Sequence, residues 1–445
     1  MKPKRINNDQ NSLLESRLSE QLNPREPLII LSKQIAWETF EKEFGVHFVG
    51  YNGQPPKPIR LMVGLLMLQH MENLSDEAVV ERWVQNPYWQ YFCGYDYLQW
   101  KFPIDGSSLV RFRKRIGNTG VEKILSSTIQ TAKQVKMVKE KDLKRVIADT
   151  TVMEKNITFP TDSKLLNKSR KNLVKVAKAE GVSLRQSYER TGRYLEGQVS
   201  KYTYAKQYNR MNKALKKLKT ILGRTVRDVE RKIIDNDGLA SKFASQLKMA
   251  KRLLAQEKNG TNKLYSLHEP HVYCITKGKT HKRYEFGCKV SLVITHKQGL
   301  ALSSQALPEA YFDGHTLRSS LENAEKLSNT IISRGIVDRG YKGHGIVDKE
   351  IYISGQKRGI TATLKAQIKR RSAIEPHIGH MKTDGKLGRN MLKGFIGDQI
   401  NASLCAVGHN LRLIRNHIKD LLLQFFYFLL FLQARPKNSL GLVQS

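Results

Sequence analysis

Between Leu61 and Met71 almost every position is apolar, which predicts a strongly hydrophobic helix just after the chain breaks set by Pro55, Pro56 and Pro58. Ser75 stands where a helix cap belongs, and Val79, Val80 and Val84 fall on the inner side of the amphipathic helix it would open. Asp105-Gly-Ser-Ser then leads into Leu-Val-Arg-Phe-Arg-Lys-Arg-Ile-Gly. Ser107 or Ser108 is expected to cap a helix whose first two turns carry Arg111, Arg113, Lys114 and Arg115. The reading is a helix docking on DNA phosphates, or else a solvated basic face. Trp37, Trp83, Trp89 and Trp100 all lie in this mostly helical stretch, which suits a compact aromatic-rich bundle over residues 1–135.

The period changes at residues 142–152, where Asp-Leu-Lys-Arg-Val-Ile-Ala-Asp-Thr-Thr-Val reads as a central strand ending at Asp149-Thr-Thr. From Lys164 the period is helical again, and Leu215, Leu218, Leu222, Val229 and Ile233 trace one face. A long helical hairpin inserted in the fold is expected over residues 164–260. Strand patterning returns at His271–Ile275, Arg283–Ile294 and Leu300–Ser303, with turns at Lys277-Gly-Lys and Lys297-Gln-Gly that imply three antiparallel strands. Asp313 opens a helix to about Asn329, Gly335-Ile-Val-Asp and Ile351-Tyr-Ile-Ser read as further strands, and Thr361 begins helices. This order predicts an α/β fold that resembles the ribonuclease H-like arrangement, a mixed sheet flanked by helices. Its catalytic core is expected over 140–163 and 261–418, with an apolar tail over 419–445.

Charge sharpens the picture. Lys and Arg number 76 against 40 Asp and Glu, a formal net charge of +36, far beyond what solubility requires. Residues 164–258 hold 25 Lys and Arg against 8 Asp and Glu, including Lys216, Lys217 and Lys219, so nearly half of that excess sits in the insertion. Nucleic acid is the simplest partner; a membrane surface suits less, because the basic residues run through the whole chain. Cys93, Cys274, Cys288 and Cys405 form no CxxC pair, so neither zinc nor a disulfide framework is indicated and a reduced, cytosolic setting follows. The first residues lack the apolar stretch of a secretory signal. The apolar run from Leu421 to Leu432 is well short of the roughly 20 residues that span a bilayer and reads as a buried or partner-covered helix.

Three acidic residues stand out in this context. Asp149 and Asp338 each follow a strand, and Glu375 lies in the helical region Arg370-Arg-Ser-Ala-Ile-Glu-Pro. The carboxyl ends of strands in an open α/β sheet form the crevice where sites collect. Two aspartates and a glutamate meeting there would offer hard oxygen ligands to Mg²⁺ or Mn²⁺, and a pair of such ions suits phosphodiester attack. Arg371 and Lys382 stand at −4 and +7 from Glu375, near whole helical turns, so a continuous helix would present all three on one face; Pro376 argues for a kink there. His344, His377 and His380 read as DNA contacts or local packing, and Glu269 and Glu285 as structural.

With these residues in view, the chain resembles the bacterial insertion-sequence transposases of the DDE class, in the group whose third acidic residue lies in a Tyr-x2-Arg-x3-Glu-x6-Lys signature. Arg371, Glu375 and Lys382 fit that spacing, Asp338-Arg-Gly-Tyr341 fits the companion signature, and Ile368 stands where the tyrosine would be. The resemblance implies catalytic and metal-binding roles for Asp149, Asp338 and Glu375, with two Mg²⁺ or Mn²⁺ ions per site. It implies DNA contacts from Arg339, Tyr341, Arg371 and Lys382, recognition of terminal inverted repeats and target DNA, and at least a dimer on DNA in the bacterial cytoplasm. The rival readings are a nuclease that cuts without joining and a transposase-derived DNA-binding protein without activity.

Overall fold

A computed structural model describes residues 16–48, 56–257, 259–260, 263–276, 282–356 and 359–434. Pro55, the turn expected at residues 277–279, His281 and the ends of the chain lie outside the described residues. The chain divides into two compact units, one running to Met153 and resuming at Lys289, the other spanning Glu154–Cys288.

The fold is α/β with a mixed, open seven-stranded sheet. Its strands are β1 (Arg145–Lys155), β2 (Tyr273–Ile275), β3 (Glu285–Thr295), β4 (Ala301–Ala306), β5 (Arg334–Val337), β6 (Glu350–Ile353) and β7 (Arg389–Asn390). β1 pairs with β5 and β5 with β6 in parallel, whereas β3 runs antiparallel to β2 and to β4. The three antiparallel strands expected from the alternating pattern are therefore β2, β3 and β4. Most of β1 is buried, its polar Thr150 and Thr151 included, because both its faces are covered.

In the first unit, helices pack on this sheet. Every residue of the Ile59–Met71 helix except Arg60 is buried, and its apolar side chains contribute roughly 1.5–3 kcal/mol each when fully covered. Arg60 reaches the Tyr91 and Phe92 carbonyls and lies over the Trp37 ring. The Gly394–Ala434 helix crosses the Ile59–Met71 helix so closely that a Cβ on Gly408 would overlap the His70 carbonyl oxygen. Asn410 on the same helix bonds both the amide and the carbonyl of Ala301 in β4, tying helix to sheet.

Several local expectations change. Ser75 does cap the Asp76–Gln85 helix, through the Ala78 amide, but Val84 is only half-buried while Trp83 is fully enclosed. The cap of the Gly106–Gln134 helix is Asp105, not Ser107 or Ser108: its carboxylate accepts from the Ser107 amide, and glycine takes the first helical position. That helix bends at Gly117, which has a φ of 62°. The run beginning at Leu421 is not buried within the chain. Among the described residues, Ile418 is the last buried one, and Phe425, Phe426, Tyr427 and Phe428 are all exposed on the continuing helix. No described helix is long and apolar enough to cross a membrane.

Among its described residues the second unit holds four helices, Asp162–Ala179, Glu189–Tyr204, Tyr208–Ile233 and Asp237–Ala255, where the sequence suggested a hairpin. The face anticipated on the third of them is real: Leu218, Leu222, Val229 and Ile233 are buried with Leu173, Phe243 and Leu253 in one core. Four helices arise because Leu173, Leu195 and Phe243 each sit on an apolar stripe that one partner alone would leave in water.

Candidate active site

Parallel pairing of β1 with β5 aligns Ile147 with Ile336. Two residues further along each chain the same register sets Asp149 level with Asp338, and the two-residue side-chain period puts both on one face. Asp149 is thus inside β1 and not at its end, since β1 continues to Lys155. Asp338 directly follows β5 in extended backbone, and its Oδ1 accepts from the Gly340 amide, capping the short turn Arg339–Tyr341.

Glu375 arrives from a third element. Arg371 lies in a 3-10 turn, Arg370–Ala373, and the Ile374–Thr383 helix begins immediately after it. Pro376 falls in the first turn of this helix, where a missing N–H breaks no intrahelical bond, so the kink expected from it does not form. The turn aims the Arg371 guanidinium between the acids. One terminal nitrogen lies 2.7 Å from Asp149 Oδ2 and 3.6 Å from Asp338 Oδ2, while the other lies 3.0 Å from Glu375 Oε1. Three carboxylates far apart in sequence therefore share one cation. Their side chains are 14%, 35% and 62% exposed in the order Asp149, Asp338, Glu375, a gradient from floor to rim. Among the described residues no three His, Cys, Asp or Glu side chains stand as a ready metal-binding group; the place between these carboxylates is filled by Arg371.

A fourth carboxylate, which nothing in the sequence singles out, belongs to the same hollow. Asp313, the first residue of the Asp313–Ser328 helix, accepts from Thr150 Oγ1 at 2.8 Å and from Lys289 Nζ at 2.9 Å. A Cβ on Gly340 would lie 3.0 Å from Asp338 Oδ1 and 3.3 Å from Asp313 Oδ2, so the glycine leaves the space over which the two acids face each other. Its detectable trace in the sequence is an Asp opening a helix, which an ordinary N-terminal acid leaves as well. Tyr341 lies beneath. It is fully buried, its hydroxyl has no partner, and its pKa is raised, first by burial and then by the charges of Asp149, Asp313 and Asp338. The hydroxyl therefore stays protonated among acceptors.

The remaining predicted residues divide. Tyr341 and Arg113 are not available to DNA in this structure. Burial encloses the first, and Arg113 is buried in a two-pronged pair with Asp76, at 2.8 and 2.5 Å, that also engages Gln69. Arg111, Lys114 and Arg115 are exposed; Arg111 bonds Ser107, and Arg115 lies over the Phe48 ring. Arg339 is exposed and packs across Gly355, and Lys382 is half-buried in the last turn of the Glu375 helix. Lys216 and Lys217 are exposed, whereas Lys219 donates to the Gln256 carbonyl. Ile368 is buried, so it serves packing. The histidines have local work: His344 accepts from the Ile346 amide, His380 pairs with Asp384, and His377 meets the His409 ring edge-on. In the second unit Glu269 pairs with buried Lys155.

Residues 16–115 match a family model described as Transposase domain (DUF772). An uncharacterized protein, ORF8 in the nfe locus of Rhizobium meliloti, is 43% identical over 208 residues, 47% of this chain and 100% of that protein. The chain belongs to a transposase family. No solved structure is significantly similar to it. The transposase domain match covers the first helices of the first unit, including Asp76 and Arg113, and ends within the Gly106–Gln134 helix, before Asp149.

Proposed function

We propose that the chain is a transposase of the DDE class, with a ribonuclease H-like core, that cuts DNA at the ends of a mobile element and joins them to a target. The observation that carries this reading is the meeting of Asp149, Asp338 and Glu375 around one guanidinium. Carboxylate oxygens are the hard donors that Mg²⁺ and Mn²⁺ select, and the joint hold of the three on a cationic group supports their fitness for such an ion. Asp149, Asp338 and Glu375 would hold divalent metal once Arg371 turns aside. When bound, the metal supplies a deprotonated nucleophile and neutralises the leaving oxygen.

The chain's own groups do the rest. Arg371, displaced from the carboxylates, is within reach of a phosphodiester beside them and presents a planar fork suited to phosphate oxygens. Lys289, held by Asp313, keeps a positive charge at the inner edge and offsets negative charge that develops on the phosphate. Tyr341 keeps its proton and packs the floor, which fixes the aspartates that follow β5 and lie in β1. Two element ends must be handled together, so at least two chains act on one DNA assembly.

The test is cleavage and strand transfer on the element's own ends in Mg²⁺ or Mn²⁺. Asp149→Asn, Asp338→Asn and Glu375→Gln are each expected to lower cutting at least about 100-fold while DNA binding persists. Full joining by any one of them sinks the assignment. Cutting without joining by the wild type would make the protein a nuclease instead.

A further inference from the structure

The second unit contains a hollow of about 500 Å³ lined by Arg185, Arg224, Arg227 and Arg231, together with Tyr188, Asp228 and Glu230. Its two acids are engaged. Asp228 accepts from the Arg185 amide at 2.8 Å and pairs with Lys232 and Arg231, and Glu230 pairs with Lys251 at 2.6 Å. Among the described residues, the Arg185, Arg224 and Arg227 side chains pair with no carboxylate, and all three are exposed. Gly223 makes room for one of them: a Cβ there would meet the Arg227 guanidinium at 3.3 Å.

The Glu189–Tyr204 helix begins at Tyr188, on the wall of this hollow. Tyr188 has left-handed backbone, φ 52° and ψ 30°, and gives no side-chain cap, so the first-turn amides lack the usual acceptor. Like charges are gathered around a concavity at a cost in repulsion, which an anion relieves; the helix end beside them already carries one acid, Glu189, in its first turn. Guanidinium groups in a fork bind phosphate oxygens in pairs. The lysines picked out from sequence make a poorer site. Lys216 and Lys219 line a different hollow that also contains Asp162 and Glu257, and the Lys219 ammonium already donates to a carbonyl.

We infer that this arginine hollow of the four-helix unit is a docking site for the phosphate backbone of DNA, engaging it without regard to sequence through Arg185, Arg224 and Arg227. The inference rests on the DNA-processing role proposed above and names where in the insertion the backbone is held.

The experiment measures binding of the full-length protein to a random-sequence duplex by fluorescence anisotropy across a salt series. Wild type is compared with the triple variant Arg185→Gln/Arg224→Gln/Arg227→Gln and with Lys213→Gln/Lys216→Gln/Lys217→Gln, which removes equal charge from the same unit. Circular dichroism and melting confirm that each is folded. The arginine variant is expected to bind roughly 10- to 100-fold more weakly near 0.15 M salt, with a log–log salt slope shallower by about 0.9 for each phosphate no longer neutralised. The lysine variant is expected to weaken much less. Equal weakening of the two variants, or none in the arginine variant, overturns the docking site and leaves the proposed function standing. A wild type that does not bind the duplex at all overturns both. A parallel arm with inorganic tripolyphosphate follows thermal protection. Protection abolished in the arginine variant while its DNA affinity is unchanged would assign the hollow to a small polyphosphate and overturn the DNA reading.

Discussion

Arg371 is the residue on which the candidate site turns, because it hydrogen-bonds Asp149 and Glu375 and pairs with Asp338, the same carboxylates a divalent ion would require. If ion and guanidinium compete, removing the guanidinium should help the ion. Arg371→Gln is expected to melt lower than wild type in chelator, since three acids lose their shared counter-charge, and to gain more in melting temperature on addition of Mn²⁺. Equal Mn²⁺ responses in the two proteins would show that they do not compete. Histidines give the pH dependence. His70 and His409 are buried, and burial lowers the pKa of each to about 3, despite a carbonyl acceptor for each ring. In the unfolded chain they take up protons near pH 6.5, whereas in the fold they do not until about pH 3. Stability is therefore complete above pH 6.5 and is lost as pH falls below it, by up to about 1.4 kcal/mol per pH unit for each histidine. Denaturant midpoints measured from pH 7 to 4.5 should show this slope, and His409→Asn should flatten it; an unchanged slope excludes His409 as one of its sources.

Among the elements, the close approach of the Gly394–Ala434 and Ile59–Met71 helices is the most exacting contact. A methyl group at residue 408 meets backbone, which cannot rotate away as a side chain would. Gly408→Ala should cost roughly 2–3 kcal/mol, read as a lower denaturant midpoint, while Gly379→Ala, whose Cβ would meet nothing within 4 Å, should be neutral or slightly stabilising. A Gly408→Ala protein as stable as wild type would mean the helices cross further apart. Elements are also where the sequence was most legible. Period and punctuation place β1, β3, β4 and the Asp313–Ser328 helix within a few residues, and the spacing of Arg371 and Glu375 brings them into real contact. What stayed hidden depends on partners distant in sequence. Arg113 looks like any other cation in its basic run until Asp76 is seen opposite it, and Asp313 looks like a helix-capping acid until Thr150 and Lys289 converge on it. The four helices of the insertion passed for two because periodicity reports a buried stripe without saying how many neighbours bury it.

For the whole molecule, the outward apolar run on the last helix is the clearest liability. Side chains such as Phe425, Phe426 and Phe428 face solvent, whereas packing ends at Ile418. A chain ending at Asp420 should keep its melting temperature within about 2 °C, bind less of a hydrophobic dye and stay soluble at higher concentration. A large fall in melting temperature would instead show that the run stabilises the core. Charge works at the same scale. Most of this molecule draws polyanions toward it, yet three acids around one arginine leave their hollow with a surplus of negative charge. On the proposed reading, a DNA strand is repelled from these carboxylates until extra positive charge has settled there, so the protein would travel along a chromosome unarmed and take up its blade only when cation and strand arrive together.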